Sequence, residues 1–293
     1  MERLPPFLRA LRPAQWTKNL FVLAPLLFGK VANRPDLALR TLAAAVAFCG
    51  VASALYLLND VVDREADRLH PVKKKRPVAS GEMTPAWALG SAAVLLLASI
   101  GLILAAAPSA LGWTLLYAVL TALYSLVLKK VALLDVFVIA SGFVLRVLAG
   151  SEAARVAASH WLLLCTFFLA LFLALSKRRG ELSTHGSGVR PALHQVPVSL
   201  LESLENVALG TTIVCYALYT VAPETVAWFG TDRLLVTVPI VVFALFRWRL
   251  LEARGGGEDT AADLFSDRGL LLTVVVWGAT CAFLIYAGRI GIS

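Results

Sequence analysis

Charge is what this sequence is short of. Only 16% of its 293 residues are Asp, Glu, Lys or Arg, 59% are hydrophobic, and the mean hydropathy is +0.77. A soluble domain of this length needs a charged surface, which this composition cannot supply. Cysteine is scarce too: Cys49, Cys165, Cys215 and Cys281 lie far apart inside apolar segments with no CxxC spacing. That pattern argues against a disulfide framework or a thiolate metal site and for small buried side chains. The period-two alternation of a barrel strand is missing. No internal repeat is visible, and no small-residue cleavage site follows the basic start MERLPPFLRALRPAQWTKN. This segment therefore reads as a surface-lying lead-in to the first span, not as a removable signal.

What is there is a series of long apolar runs, each near the roughly 20 residues that cross a hydrocarbon core. They predict an all-α, polytopic membrane protein, a single domain over 1–293 with nine spans at 19–32, 39–58, 86–107, 110–128, 131–150, 159–176, 204–222, 233–250 and 269–289. With the N-terminus inside, twenty of the 27 Lys and Arg residues fall in the N-terminal tail and even-numbered loops, against six outside, with Arg146 set aside within span five. This positive-inside bias predicts a cytoplasmic N-terminus in the cell membrane and explains the net charge of +8 without nucleic acid. Both long loops, 59–85 and 177–203, are then cytoplasmic. Residues 198–206 have the spacing of a short surface helix, and 252–268, with GGGED, reads as a flexible linker.

At the end of span two the sequence turns to NDVVDREADRLHPVKKKR. Continued as a helix, Asn59, Asp63 and Asp67 recur every four residues, and Asp60 joins their face. Carboxylates so crowded repel unless a cation lies among them. A hard divalent ion such as Mg²⁺ suits them, completed by water and phosphate oxygens. Lys73 and Arg76 follow within the same loop, as a metal-bound polyphosphate requires. The bland alternative is a solvated helix end with salt bridges such as Asp60–Arg64.

Weaker signals stand elsewhere. Lys18, near Trp16, reads as a snorkelling anchor or a phosphate ligand. Tyr124 and Lys129 close span four as an interface pair or as substrate contacts. Asp135, Gly142 and Arg146 share a face of span five, where charged residues normally point into protein. His160, His185 and His194 show no ligand spacing, and Asp263 and Asp267 read as helix-start residues.

NDVVDREAD resembles the NDxxDxxxD signature of the UbiA superfamily of intramembrane prenyltransferases. The resemblance implies nine helices around a central cavity capped by cytoplasmic loops, with Asp60 and Asp63 catalytic and Asn59 and Asp67 completing a Mg²⁺ site. Members that ionise a prenyl diphosphate carry a second motif, DxxxD, at the end of helix six. Here that place reads SKRRGEL (176–182), with Lys177, Arg178 and Arg179 and only Glu181 acidic. This basic run suits a phosphate monoester better than a second metal. Together with RPAQWTKNLF (12–21), 59–81 and 124–150, it is similar to the decaprenyl-phosphate phosphoribosyltransferase branch, although Val196 stands where that branch has an aromatic residue. The implied substrates are 5-phosphoribosyl diphosphate and a polyprenyl phosphate, and the implied product is a precursor of cell-wall arabinose donors. Lys129, Arg146, Lys177 and Arg178 are the residues for the lipid phosphate or the ribose 5-phosphate. The rivals are a prenyltransferase using polyprenyl diphosphate on an aromatic or polar-lipid acceptor, and a small transporter. Against the transporter, the acids sit at one membrane face and repeats are absent.

Overall fold

A computed structural model describes residues 4–185, 196–257 and 260–287; Arg3, Arg190, His194 and Arg289 lie outside them, as does the side chain of His185. Among the described residues, eight helical stretches are long and apolar enough to cross a membrane. They are built on α1 (Pro35–Val62), α2 (Pro85–Ala106), α3 (Leu111–Leu126), α4 (Leu134–Ala154), α5 (His160–His185), α6 (Val198–Val221), α7 (Val238–Ala253) and α8 (Arg268–Ala287), with the 3₁₀ turns Pro108–Ala110 and Arg233–Thr237 lengthening α3 and α7. Among the described residues there is no strand. Both α1 and α2 open on a proline, whose missing N–H falls where a helix has no acceptor to offer. Thr84 caps α2, its Oγ1 accepting the Trp87 N–H at 3.3 Å.

The chain divides into two compact units, Met1–Lys129 with Leu145–Ala157, and Lys130–Val144 with Ala158–Ser293, so that α4 contributes to both. In the first unit α1 is the central element. Its alanine-rich run lets neighbours approach closely, as small residues do in membrane bundles. Ala44, Ala47, Phe48 and Val51 pack with Ile103, Tyr117, Leu145 and Ala149. Leu39 and Val46 of α1 and Val94 and Leu97 of α2 point outward, as lipid-facing positions do. In the second unit Phe172 and Leu175 of α5 pack with Leu201 and Ala208 of α6 and with Leu245 and Trp248 of α7.

Three sequence expectations take another form. Where a first span was expected at 19–32, the chain runs as a 3₁₀ helix over Pro13–Leu23 and a short α-helix over Ala24–Phe28. A 3₁₀ run of this length is uncommon and needs tertiary support. It has that support: Val22 is fully buried, and a Cβ at Gly150 of α4 would strike the Val22 carbonyl. Residues 198–206 form no separate surface helix; they are the first turns of α6, anchored by the buried Glu205. The stretch 252–268 is not linker throughout, since α7 runs to Ala253 and a further helix covers Thr260–Ser266.

Candidate functional site

The acidic motif lies where α1 gives way to the loop before α2. Helical bonding nearly continues through it: the Asp63 N–H donates to Asn59 O and the Asp67 N–H to Asp63 O, both at 2.8 Å. Asp63 leaves helical geometry at φ −90°, ψ 6°, and a short helix, Arg64–Leu69, follows. This break separates the carboxylates. Asp60 and Asp67 are buried, while Asp63 turns to Lys129 in the 3₁₀ turn Leu128–Lys130 after α3.

Each carboxylate meets a cation of the same unit. Lys129 Nζ donates to Asp63 Oδ1 and Oδ2 at 2.6 and 2.7 Å and approaches Asn59 Oδ1 at 3.4 Å. Arg76 Nη1 bridges Asp67 Oδ2 at 2.6 Å and Asp60 Oδ1 at 3.3 Å. Arg12 Nη2 also donates to Asp60 Oδ1. Asp60 Oδ2 is buried with no hydrogen-bond partner. Hard oxygens, one of them waiting for a partner in the interior, fit a hard divalent cation. Among the described residues, however, no three His, Cys, Asp or Glu side chains converge to hold an ion unaided.

Sequence reasoning passed over Arg12, although it opens the RPAQWTKNLF stretch. Arg12 joins the helix Pro6–Leu11 to the 3₁₀ segment in the left-handed region, φ 54°, ψ 61°, which costs a non-glycine residue about 1–2 kcal/mol. Docking of the N-terminal segment fixes it there. Arg9 pairs with Glu82, Phe7 meets the Trp87 ring at 5.2 Å, and Ser53 Oγ donates to Leu11 O at 2.9 Å. The Arg12 guanidinium rests 4.8 Å from the centre of the Tyr56 ring. Burial pulls its pKa below the ordinary value, and the charge of Asp60 opposes that shift. Lys18, Lys73 and Tyr124 are half-buried, Lys18 in the 3₁₀ segment, Lys73 in the loop after the acidic motif and Tyr124 near the end of α3.

Arg146 is held deeper in the first unit. Its Nε donates to Asn19 Oδ1 and its Nη2 to the Tyr117 hydroxyl, both at 2.8 Å, and Asn19 in turn reaches Cys49 Sγ at 3.2 Å. Asp135, on the same helix, has a different partner. In the second unit Arg178 Nε donates to Asp135 Oδ2 at 2.6 Å and Arg178 Nη1 to Glu181 Oε2 at 2.7 Å. Arg179 binds Glu205 Oε2 at 2.7 Å and Glu252 Oε2 at 2.8 Å, and Arg249 closes the same group through Glu252 at 2.9 Å. Arg178 and Arg179 at the end of α5 are therefore charge-compensated by acids from α4, α6 and α7. Lys177 beside them is half-buried. Glu205 and Glu252 went unremarked in the sequence because their partners are distant along the chain; a glutamate within an apolar helix was the available signal. Asp267 does act at a helix start: its Oδ1 accepts the Leu270 N–H at 2.7 Å, and Arg247 holds its carboxyl below the usual carboxylate range.

The model of the UbiA prenyltransferase family matches residues 20–267. Decaprenyl-phosphate phosphoribosyltransferase of Mycolicibacterium smegmatis is 32% identical, over 95% of this chain and 92% of its own. The protein of that name from Corynebacterium glutamicum is 34% identical, over 92% and 83%. Among solved structures, a UbiA homolog from Archaeoglobus fulgidus bound to GPP and Mg²⁺ superposes with a TM-score of 0.72 at 18% identity, covering 96% of this chain and 99% of that one.

Proposed function

Since the chain belongs to the UbiA prenyltransferase family, we propose that it transfers 5-phosphoribose from 5-phosphoribosyl diphosphate to a polyprenyl phosphate, releasing diphosphate. The named relatives support the reaction. The observation that favours it over prenyl transfer is the end of α5, where a second metal would need a cluster of carboxylates. The chain places Lys177, Arg178 and Arg179 there, with Glu181 the one acid of the SKRRGEL stretch. We read both units as one domain, because one family covers both.

Asn59, Asp60, Asp63 and Asp67 are the residues that would hold Mg²⁺. Bound there with the donor, the ion supplies charge neutralisation for a diphosphate leaving group. Lys73 and Arg76 grip the donor's phosphates, with Lys18, Tyr124 and Lys129 as further contacts to the substrates. Lys177 and Arg178 take an anionic group, the lipid phosphate or the ribose 5-phosphate, with Asp135 and Glu181 orienting the Arg178 fork. Arg146 has the charge for the same task, and Asn19 and Tyr117 fix its direction. The lipid phosphate is already an anionic nucleophile. Its oxygen bonds to C1 as the C1–O bond to diphosphate breaks, so no side chain need remove a proton. Positioning and charge stabilisation carry the rate. The product fits the supply of arabinose donors for cell-wall sugars.

In this reading the protein lies in the cell membrane with its N-terminus and the loops 59–85 and 177–203 on the cytoplasmic side. The stretch Pro13–Phe28 supplies a ninth crossing. Its 11 residues of 3₁₀ helix and five of α-helix extend about 30 Å, because a 3₁₀ helix rises ~2.0 Å per residue against ~1.5 Å. That matches the hydrocarbon core.

Purified protein incubated with labelled 5-phosphoribosyl diphosphate and a polyprenyl phosphate should yield a labelled lipid. Prenylation of an aromatic acid from polyprenyl diphosphate, with the phosphoribosyl donor ignored, would reject the proposal.

A further inference from the structure

Three consecutive cations, Lys177, Arg178 and Arg179, follow the apolar part of α5. Of these, Arg179 is held by two carboxylates shut off from any ligand: Glu205 of α6, fully buried, and Glu252 of α7, with a side chain 2% exposed. Glu252 is occupied on all sides. Its Oε1 accepts the Trp248 indole N–H at 2.9 Å and the Ser176 hydroxyl. Its Oε2 accepts Arg179 Nη2 at 2.8 Å and Arg249 Nη1 at 2.9 Å. The chain after α7 closes over the group at Gly257, φ 102°, where a Cβ would stand 3.3 Å from Glu252 Cγ and 3.5 Å from Ser176 Oγ.

Two of the four donors to Glu252 belong to α5, and they stand on either side of Lys177 and Arg178. Ser176 and Arg179 are three residues apart and share a helix face, which Glu252 holds; the two residues between them turn away from it. Arg178 accordingly finds Asp135 of α4. Tying a helix at both ends of one turn fixes its rotation as well as its depth. Left untied, the turn carries three adjacent like charges, which repel and favour a splayed, solvated arrangement. For groups that grip a substrate, a displacement of about 1 Å is enough to cost about a hundredfold.

We propose that Glu252, with Ser176 and Trp248, is a positioning group for substrate binding: it sets the rotation of α5 so that Lys177 and Arg178 are presented to the anionic group they bind, while Arg179 serves the clamp and not the substrate. Trp248 keeps the clamp together, its Nε1 lying 2.9 Å from Glu252 Oε1 and 3.1 Å from Ser176 Oγ. This inference rests on the assignment of Lys177 and Arg178 to a substrate phosphate given above.

Binding read directly tests the clamp without needing turnover. The probes are labelled 5-phosphoribosyl diphosphate with Mg²⁺ and a labelled polyprenyl phosphate, titrated separately onto the detergent-purified full chain. Glu252→Gln keeps the shape of the side chain and removes its charge. It should raise the Kd of one probe by about tenfold, a usual coupling within one network, with the number of sites unchanged. A protein that was only less folded would lose sites and keep its Kd. In a Lys177→Met background the same substitution should change that Kd by less, since one of the groups it positions is gone. Glu202→Gln, at the exposed edge of the network, should leave both Kd values alone. Should Glu252→Gln not fold, judged by gel filtration, Trp248→Phe keeps the ring, removes the N–H and should raise the same Kd by about threefold, the scale of one hydrogen bond. Unchanged Kd values for both probes in the folded variant overturn the proposal, as does an equal effect with and without Lys177. The lipid-labelling assay on the same preparation separates the two readings. Lipid labelling beside unchanged Kd values rejects the clamp and leaves the reaction standing. Weakened binding in the variant, with no lipid labelling by the wild type, keeps the clamp and rejects the phosphoribosyl reaction. A wild type that binds neither probe overturns both.

Discussion

At Gly150 the backbone of α4 meets the carbonyl of Val22 with no room for a side chain. A methyl group there must push back the 3₁₀ segment that carries Asn19 and, further up the chain, Arg12. Gly150→Ala is expected to cost about 1–3 kcal/mol, the usual penalty of overpacking, and thermal unfolding in detergent measures it. The acidic residues differ in how cleanly they can be tested. Asp60 is 1% exposed and touched by two guanidinium groups, so Asp60→Asn removes a buried countercharge as well as an ion ligand. Asp63 is 28% exposed and pairs with Lys129. Asp63→Asn should therefore keep its folded yield while turnover falls by about a hundredfold or more, the scale for losing one electrostatic contact to a transition state. Wild-type kcat/KM in that variant would remove Asp63 from the site.

Among elements, the ends of α5, α6 and α7 are tied by a charge network whose members differ widely in burial. Glu205 is fully buried and receives both Arg179 and Arg249, while Glu202, one turn earlier, is 55% exposed and lies 4.0 Å from Arg249. Breaking a buried pair from one side leaves its partner uncompensated, so Glu205→Gln should cost about 3–5 kcal/mol. Glu202→Gln should cost about 0–1 kcal/mol, as exposed pairs do. Comparing the two unfolding midpoints checks the difference. Equal shifts would mean that the network does not hold the three helices together.

For the whole molecule, orientation decides where the substrates arrive. A single cysteine at Ser80, in a background lacking the four native cysteines, should resist an impermeant thiol reagent added outside cells. One at Asp232, in the turn before α7, should react. Labelling of Ser80 from outside would invert the proposed topology and move the acidic motif to the outer face.

The sequence alone determined the membrane class, the approximate course of eight helices and the acidic motif, because hydropathy and short-range spacing depend on neighbours along the chain. It could not show that 13–23 winds as a 3₁₀ helix, since that conformation is sustained by the contact between Val22 and Gly150, far apart in number. Nor could it show that the helix after Asn59 breaks at Asp63 and sends its carboxylate to Lys129. The role of charge was the least legible feature. Lys177, Arg178 and Arg179 read along the chain as an uncompensated basic run, yet Asp135, Glu205 and Glu252 reach two of them from other helices. Arg12, unremarkable in a basic N-terminus, reaches Asp60 only because the N-terminal segment docks through Arg9 and Ser53. Composition reveals which charges a membrane protein carries. Which charge meets which is decided by packing, because burial makes each unpaired charge costly and partners are drawn from wherever the fold brings them.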